Sequence, residues 1–227
     1  SNFPNLDPIN SVYEFVLSER DSKFLIEKTQ FSMAHQDVRY YLNGLLFEIY
    51  NNELRTVATD GHRLAFSYVD NLTNIINISK DNTQQIIVPR KAITELQRLL
   101  SVSDDPVKYS ISPTHLKVKI KNILFSSKLI DGRFPDYQRV IPAAELCTKN
   151  IVSDRQVLKQ SLSRIAVLSN EKFKAARLEF TKNKITAVIH NPEQEEAEEQ
   201  IHVDYDGEDF VIGFNVNYLI EALNNID

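Results

Sequence analysis

The sequence has few glycines, five in 227 residues. Neither glycine-rich phosphate-binding pattern, G-x-G-x-x-G or G-x-x-x-x-G-K-[ST], occurs in it. Backbone amides of such loops cradle the phosphates of bound nucleotides. The sequence therefore lacks the usual means of binding a nucleotide for hydrolysis.

The chain has one cysteine, Cys147, and no long apolar run. A single thiol cannot form an internal disulfide, which favours a reducing compartment. The apolar runs are interrupted within a few residues, well short of the ~18 that span a bilayer, and no signal peptide is recognisable. We therefore expect a cytoplasmic protein with no membrane partner.

Metal and nucleophile chemistry also lack their usual residue patterns. The histidines show no His-x-x-x-His pair and no Cys/His cluster, so we expect no metal site and no cofactor. No G-x-S-x-G pattern is present, and Cys147 has no neighbouring residue to activate it. A nucleophilic enzyme is thus disfavoured. The five histidines are His35, His62, His115, His190 and His202.

The net charge is −5, from 26 basic and 31 acidic residues, which is not the composition of a globally basic nucleic-acid binder. Five glutamates lie close together in the second half of the chain. They have two readings, a solvated loop and strand edge or a surface that docks onto a basic partner. The residues are Glu193, Glu195, Glu196, Glu198 and Glu199.

A weak internal repeat divides the chain. Phe-Pro segments read as linkers, because proline fixes φ and cannot donate a ladder hydrogen bond. Each linker precedes a predicted amphipathic helix, and each unit then has a strand that runs into a shorter second helix. The matched segments are residues 3–7 with 134–137, 17–20 with 152–155, and 88–96 with 214–223.

The first helix of each unit is predicted from its cap and its apolar stripe. Ser18 and Ser153 are the candidate N-caps. The stripes are predicted to comprise Phe24, Leu25 and Phe31 in the first unit and Leu158, Leu162, Ile165 and Ala166 in the second. Between the helices in sequence lie alternating segments rich in Tyr, Val, Ile and Phe with tight turns between them, which predict β-strands. The predicted fold class is α+β, with two helices packed on antiparallel sheets in each unit.

The densest polar segment is residues 56–65, TVATDGHRLA. One reading is a β-hairpin whose turn needs a positive φ at Gly61. A second is an acid–base hydrolase in which Asp60 orients the imidazole of His62. A third is a binding groove with Arg63 as a polar wall and Leu64 as an apolar wall.

Six ordered motifs carry a resemblance that covers essentially the whole chain. The chain resembles the bacterial sliding clamp family, the β subunit of DNA polymerase III. The motifs are ATDGHRLA at 58–65, QFSMA at 30–34 leading to RYYLNG at 39–44, DGRFPDY at 131–137, LSNEKF at 168–173, NPEQEEAE at 191–198 and GFNV at 213–216.

The resemblance implies clamp domains in sequence. Residues 1–17 would be a linker and the first strand of the middle domain, and residues 18–133 the rest of that domain. Residues 134–152 would be an interdomain linker and first strand, and residues 153–227 a C-terminal domain that lacks its last strands. A whole first domain would also be absent.

The implied function is that of a non-catalytic processivity factor, an accessory subunit of the replicative DNA polymerase. Two subunits would close head to tail into a homodimeric ring around double-stranded DNA. The other implied partners are replicative and other DNA polymerases, the clamp loader, and repair proteins with short linear clamp-binding motifs. Such a protein would be cytoplasmic and nucleoid-associated during replication.

DNA contacts are expected on helices and on one loop. Helices lining such a ring would present cations that screen phosphate charge and permit sliding, although solvated helix faces have the same pattern. By resemblance, His35, Gln36, Arg39 and Tyr40 would contact DNA. Tyr40 would stack on a base, and a structural role for Tyr40 and Tyr41 as strand aromatics is the alternative. The helix candidates are Lys23, Lys28, Arg90, Lys91, Arg98, Lys159 and Arg164.

Partner docking and ring closure complete what the resemblance implies. Partner peptides would lie in an apolar cleft between the two domains. Val167 and Leu168 would form the centre of the ring interface, with the acidic run at its edge facing a basic patch. The cleft residues would be Leu42, Thr59, Gly61, His62, Arg63, Leu64, Pro135, Arg139, Val140, Asn215 and Tyr218.

Overall fold

The computed structural model of this protein describes residues 13–78, 83–169, 174–190 and 195–226. By internal contacts the chain divides into two compact units, Ser1–Gln138 and Arg139–Asp227. Each unit has a hydrophobic core of its own.

The first unit contains nine strands and two α-helices among the described residues. Short 3₁₀ turns at Gln30–Ser32 and Tyr40–Leu42 connect α1 to β2. The elements are β1 (Tyr13–Ser18), α1 (Glu19–Thr29), β2 (Gly44–Tyr50), β3 (Glu53–Thr59), β4 (Leu64–Val69), β5 (Thr73–Ile76), β6 (Gln84–Pro89), α2 (Arg90–Leu99), β7 (Pro106–Ile111), β8 (His115–Ile120) and β9 (Ile123–Lys128).

These strands form two antiparallel sheets, in the orders β5-β1-β7-β8-β9 and β4-β3-β2-β6. Strands β7 and β8 alternate buried and more exposed residues, so one of their faces is turned to the core, whereas β2 is buried at six of its seven residues. The core includes Phe15, Phe47 and Tyr109, with Phe15 stacked on Tyr109 at 4.8 Å between ring centres. Leu25 and Ile26 of α1 are buried in the same core.

The second unit repeats part of this arrangement. Its sheet order, β12-β11-β10-β13, is the order β4-β3-β2-β6 of the first unit with equivalent strands. One helix again precedes the sheet and another follows its last strand. The elements are α3 (Arg155–Ile165), β10 (Ala175–Thr181), β11 (Lys184–His190), β12 (Glu196–His202), β13 (Phe210–Asn215) and α4 (Val216–Asn225).

The predicted fold class is confirmed, and two local predictions are corrected. Ser18 caps α1 by accepting a 2.9 Å hydrogen bond from the Asp21 amide. In the second unit the cap is Asp154 rather than Ser153, because the Asp154 carboxylate accepts the Val157 amide at 2.8 Å. Phe24 is not part of the buried stripe of α1, since it is 39% exposed.

Phe134 and Tyr137, which lie in the segment predicted as an interdomain linker, are buried. They pack with Leu42, Leu46 and Val57 in a small cluster of the first unit. The division between the units comes after Gln138. Within the described residues, no helix is both long and apolar enough to cross a membrane.

Candidate docking turn and cationic surfaces

The turn between β3 and β4 is held by side chains of its own residues. One oxygen of the Asp60 carboxylate accepts the amides of His62 at 2.9 Å and Arg63 at 3.1 Å, and the other accepts Nε of Arg63 at 3.1 Å. The Thr59 hydroxyl donates to the Arg63 carbonyl at 2.6 Å and accepts the Gly61 amide at 3.1 Å. Gly61 has φ +89°, the left-handed conformation that glycine adopts at little cost.

Asp60 therefore forms the turn rather than orienting a base. Its carboxylate is directed at Arg63 and at two backbone amides, while His62 is exposed at the tip. The acid–base pair of Asp60 and His62 that a hydrolase would need is not what this geometry provides. The hydrolase alternative is not supported.

Below the turn lies an apolar cluster. Leu42 is only 2% exposed and forms part of its floor, together with Ala34, Leu46 and Val57. Leu64 is half-buried and packs against the cluster from the start of β4. The turn thus places Arg63 and Leu64 next to each other, one polar and one apolar, both half-buried at the edge of a buried apolar cluster. Pro135 is exposed between the buried Phe134 and Tyr137.

Sequence reasoning missed a buried polar network beside this cluster. Glu48 is 3% exposed, and its carboxylate accepts the Tyr137 hydroxyl at 2.6 Å and the Gln85 amide nitrogen at 2.5 Å. Arg55 lies 3.3 Å from the same carboxylate. Burial, and then the neighbouring Glu48, raise the pKa of Tyr137. The only signal in the sequence was one acid inside an otherwise apolar strand.

The remaining predicted cleft residues belong to the second unit. Arg139 and Val140 are exposed directly after the point of division. Asn215 is the N-cap of α4, where its side-chain oxygen accepts the Asn217 amide at 3.1 Å. Tyr218 is half-buried one turn later. That they meet the residues of the first unit in one cleft stays a prediction.

The loop predicted to contact DNA precedes the Tyr40–Leu42 turn. His35 and Gln36 are exposed, and Gln36 has φ +56°. Tyr40 is 57% exposed and meets Tyr41 edge to face at 5.8 Å. Arg39 is 45% exposed but not unpartnered, since it forms a two-point ion pair with Asp37. That pair lowers the pKa of Asp37 to about 2, the Arg39 side chain being the main cause.

The helix cations of the first unit lie on α1 and α2. Gln30, in the turn that directly follows α1, donates a 2.6 Å hydrogen bond to Gln97 of α2. Several of them have structural partners. Lys23 donates to the Leu100 carbonyl at 3.2 Å, Arg90 donates to the Met33 carbonyl at 3.0 Å, and Arg98 pairs with Glu95 at 3.0 Å. The Lys28 ammonium lies 5.5 Å from the centre of the Phe24 ring, and Lys91 is exposed.

The cations of α3 have different surroundings. Lys159 is half-buried. Arg164 makes a two-point pair with Glu199 of β12, with distances of 2.5 Å and 3.0 Å. The pairing lowers the pKa of Glu199 and raises that of Arg164. Arg164, a sequence candidate for DNA contact, is therefore paired with an acid, and its contact with DNA stays a prediction.

The predicted ring interface includes the turn after α3 and the strand β12. Val167 is 80% exposed and the neighbouring Leu168 is half-buried. Glu195, Glu196 and Glu198 are exposed, whereas Glu193 lies outside the described residues. An exposed valine and a run of exposed acids are the kinds of residue that an interface with an apolar centre and a charged edge requires.

Among the described residues, no group of three or more His, Cys, Asp or Glu side chains is placed to hold a metal ion. The described residues provide instead a hydrogen-bonded turn over a buried apolar cluster, and cations on the helices.

Comparison with known proteins identifies the family. Residues 17–136 match the model of the DNA polymerase III beta subunit, central domain, and residues 138–227 match that of its C-terminal domain. This chain belongs to the bacterial β sliding clamp family. The β sliding clamp of Proteus mirabilis is 50% identical over 227 residues, which are 100% of this chain and 60% of that protein. The clamp of Escherichia coli K12 is 48% identical over 99% of this chain and 59% of its own length.

Solved structures of sliding clamps support the same family. The crystal structure of the Pseudomonas aeruginosa DNA polymerase sliding clamp with ligand has a TM-score of 0.91 at 44% identity, covering 99% of this chain and 60% of the clamp. A P. aeruginosa clamp bound to griselimycin has a TM-score of 0.90 at 44% identity, covering 99% of this chain and 59% of the clamp. The chain thus spans about 60% of the length of the relatives it matches.

Proposed function

We propose that this chain is the central and C-terminal part of a sliding clamp, a non-catalytic processivity factor of the bacterial replicative DNA polymerase. The observation that carries this proposal is the order of two β-clamp domain matches along one chain. The common strand order in the two units supports it, because a ring of repeated domains needs repeated architecture. In the proposal, two complete subunits close head to tail around double-stranded DNA in the cytoplasm.

Retention by a closed ring explains how an acidic protein holds DNA. A ring that encloses the duplex does not need a high affinity for phosphate, so a net charge of −5 is compatible with the function. Local positive charge on the inward helices and the loop is sufficient to screen the backbone. Lys28 and Lys91 on α1 and α2, Lys159 on α3 and Arg39 in the loop are assigned this role. Tyr40 is exposed enough to stack on a base.

Partner docking is assigned to the β3–β4 turn and the apolar cluster below it. Leu64, half-buried against the cluster, supplies an apolar contact, and Arg63 supplies a fixed polar group, the combination that gives a small site both affinity and orientation. Pro135, Arg139, Val140, Asn215 and Tyr218 are assigned the other walls. The proposed ligands are short linear motifs of polymerases, the clamp loader and repair proteins.

The ring interface is assigned to Val167, Leu168 and the acidic run. An apolar centre gives the contact its affinity, and the glutamates select a basic surface on the neighbouring subunit. The Arg164–Glu199 pair lies beside this surface and fixes one of the acids.

A fluorescence-polarisation titration with a labelled Gln-Leu-x-Leu-Phe-type peptide tests the docking assignment. Saturable binding is expected, and the double variant Arg63→Ala, Tyr218→Ala is expected to weaken it. The matched control is Arg20→Ala, Tyr68→Ala, which removes an exposed arginine and an exposed tyrosine elsewhere on the first unit. Equal affinity of the two double variants would refute the site assignment.

A further inference from the structure

Asp37 holds Arg39 in the geometry with which arginine binds phosphate. Nε and Nη2 of Arg39 lie 3.0 Å and 2.8 Å from the two oxygens of the Asp37 carboxylate. Two parallel N–H···O bonds of this kind are the mode in which guanidinium recognises both carboxylates and phosphates. A phosphate that approached the same edge of Arg39 would have to displace Asp37.

The backbone of the loop keeps Asp37 in this position. The Asn43 side chain accepts the Asp37 amide at 2.9 Å and donates to the Asp37 carbonyl at 2.8 Å. The Arg39 amide adds a 2.8 Å bond to the Asp37 carboxylate. Four polar contacts besides the Nη2 bond join the two residues to one another and to Asn43. The Asp37 carboxylate is therefore held in position against Arg39.

A second partner occupies the rest of the guanidinium. Nη2 also donates to the Asp60 carbonyl at 3.1 Å. A Cβ on Gly61 would lie only 2.8 Å from Nη1 and 2.9 Å from Nη2, so the turn backbone packs closely against the guanidinium. Within the part of the chain that the structure describes, the two N–H donors on Nη1 are the ones left for another ligand.

From this arrangement we propose that Asp37 is a positioning residue that competes with DNA phosphate for Arg39 and so limits the affinity of the loop for DNA. The inference rests on the proposed DNA contact of Arg39, and it adds that Asp37 limits the strength of that contact. In the resting state the loop presents a neutralised cation. On DNA, Arg39 leaves Asp37 and exchanges one carboxylate for one phosphate. Weak, exchangeable contacts of this kind suit a protein that must slide.

The test is a titration of the chain with a fluorescein-labelled duplex oligonucleotide carrying a single-stranded overhang, at several salt concentrations. Asp37→Asn is isosteric but uncharged. It is expected to tighten binding about two- to fivefold at low salt, the range set by the strength of an exposed ion pair. The slope of log K against log salt is expected to stay the same, because Arg39 neutralises one phosphate in both proteins, whereas Arg39→Ala is expected to lower its magnitude by ~0.9, the value for one phosphate contact.

Two further variants separate this mechanism from loss of negative charge alone. Asp104→Asn removes the carboxylate that pairs with exposed Arg20 elsewhere on the first unit, and it is expected to leave DNA affinity unchanged. Arg39→Ala is expected to weaken binding and to abolish the gain from Asp37→Asn when the two are combined. A gain in affinity that disappears without Arg39, together with a salt slope that falls only when Arg39 is removed, is not the result of a merely structural change.

The possible failures are distinguishable. If Arg39→Ala weakens binding while Asp37→Asn does not tighten it, the DNA contact stands and the competition is refuted. If Asp37→Asn tightens binding equally with and without Arg39, the effect is general charge removal and the competition is likewise refuted. If Arg39→Ala changes nothing while Lys91→Ala, which removes an exposed cation of α2, weakens binding, the proposed DNA contact of Arg39 itself is wrong.

Discussion

Arg63 contacts Phe31 in two ways. Its Nη2 donates a 2.7 Å hydrogen bond to the Phe31 carbonyl, and its guanidinium carbon lies 5.6 Å from the centre of the Phe31 ring. Phe31 belongs to the 3₁₀ turn that follows α1, and Arg63 belongs to the β3–β4 turn. The contact therefore fixes the proposed docking turn to the end of a helix, which preorganises it for a ligand.

Arg63→Ala is expected to lower the free energy of unfolding by about 1–3 kcal/mol, because the Phe31 carbonyl and the Asp60 carboxylate both lose a charged donor. The free energy of unfolding of Arg63→Lys is expected to fall between those of the parent and Arg63→Ala, since an ammonium replaces only part of the planar donor set. A urea titration followed by circular dichroism measures the change. Arg20→Ala, which breaks an exposed pair with Asp104, serves as the control at about 0–1 kcal/mol. A cost for Arg63→Ala no larger than the control would show that the turn does not depend on this contact.

Glu19 is expected to make the first unit sensitive to acid. Its carboxylate accepts the Ser101 hydroxyl at 2.6 Å and the Ser101 amide at 2.7 Å, and it lies 3.1 Å from the Lys121 ammonium. These contacts, the Ser101 hydroxyl first, lower the pKa of Glu19 from 4.5 to about 2. A lowered pKa stabilises the folded state above the unfolded value, and this stabilisation is lost as pH falls from about 4.5 towards about 2.

The measurement for Glu19 is the melting temperature at a series of pH values between neutral and about pH 2, compared with that of Glu19→Gln. The variant keeps an acceptor for Ser101 but does not titrate. Its melting temperature is expected to fall less steeply with acid than that of the parent. Parallel curves for the two proteins would contradict the assignment.

Local features of the fold were predictable because their causes are local. Ser18 caps α1 through an amide three residues away, and the turn at Gly61 needs only the positive φ that glycine permits. The error at Ser153 has the same origin. Two adjacent residues, Ser153 and Asp154, both have side chains that can cap a helix, and the sequence alone does not decide between them.

Features that depend on distant residues were not predictable. Glu48 and Tyr137 are 89 positions apart. Only the fold shows that the Glu48 carboxylate, in β2, accepts the hydroxyl of Tyr137 from the segment after β9. Arg39 and Asp37 are only two positions apart, yet their pairing depends on the path of the loop, in which Gln36 has a positive φ. The residues of the candidate site could be named from the family resemblance, but their partners could not.

Asn215 is expected to have a structural and a binding role that different substitutions separate. Asn215→Ala removes the N-cap of α4 and is expected to cost about 0.5–2 kcal/mol of unfolding free energy. Asn215→Ser keeps a capping oxygen but shortens the side chain. It is expected to keep most of the stability while lowering the affinity for the clamp-binding peptide in the polarisation titration. Unchanged peptide affinity in Asn215→Ser would remove Asn215 from the proposed cleft and leave only its cap.

The Glu48–Tyr137 hydrogen bond is expected to anchor the segment after β9 to the first unit. Tyr137→Phe keeps the ring in its apolar cluster but removes the hydroxyl, leaving a buried carboxylate with one donor fewer. The expected loss of unfolding free energy is about 1–3 kcal/mol. Glu48→Gln provides the second arm of a double-mutant cycle, because the amide keeps the shape of the side chain without its charge. In the Glu48→Gln background, Tyr137→Phe is expected to lower the free energy of unfolding by clearly less than it does in the parent. If the two substitutions were additive within about 0.3–0.5 kcal/mol, the hydroxyl and the carboxylate would be energetically independent and the anchor would have to be the packing of the ring alone.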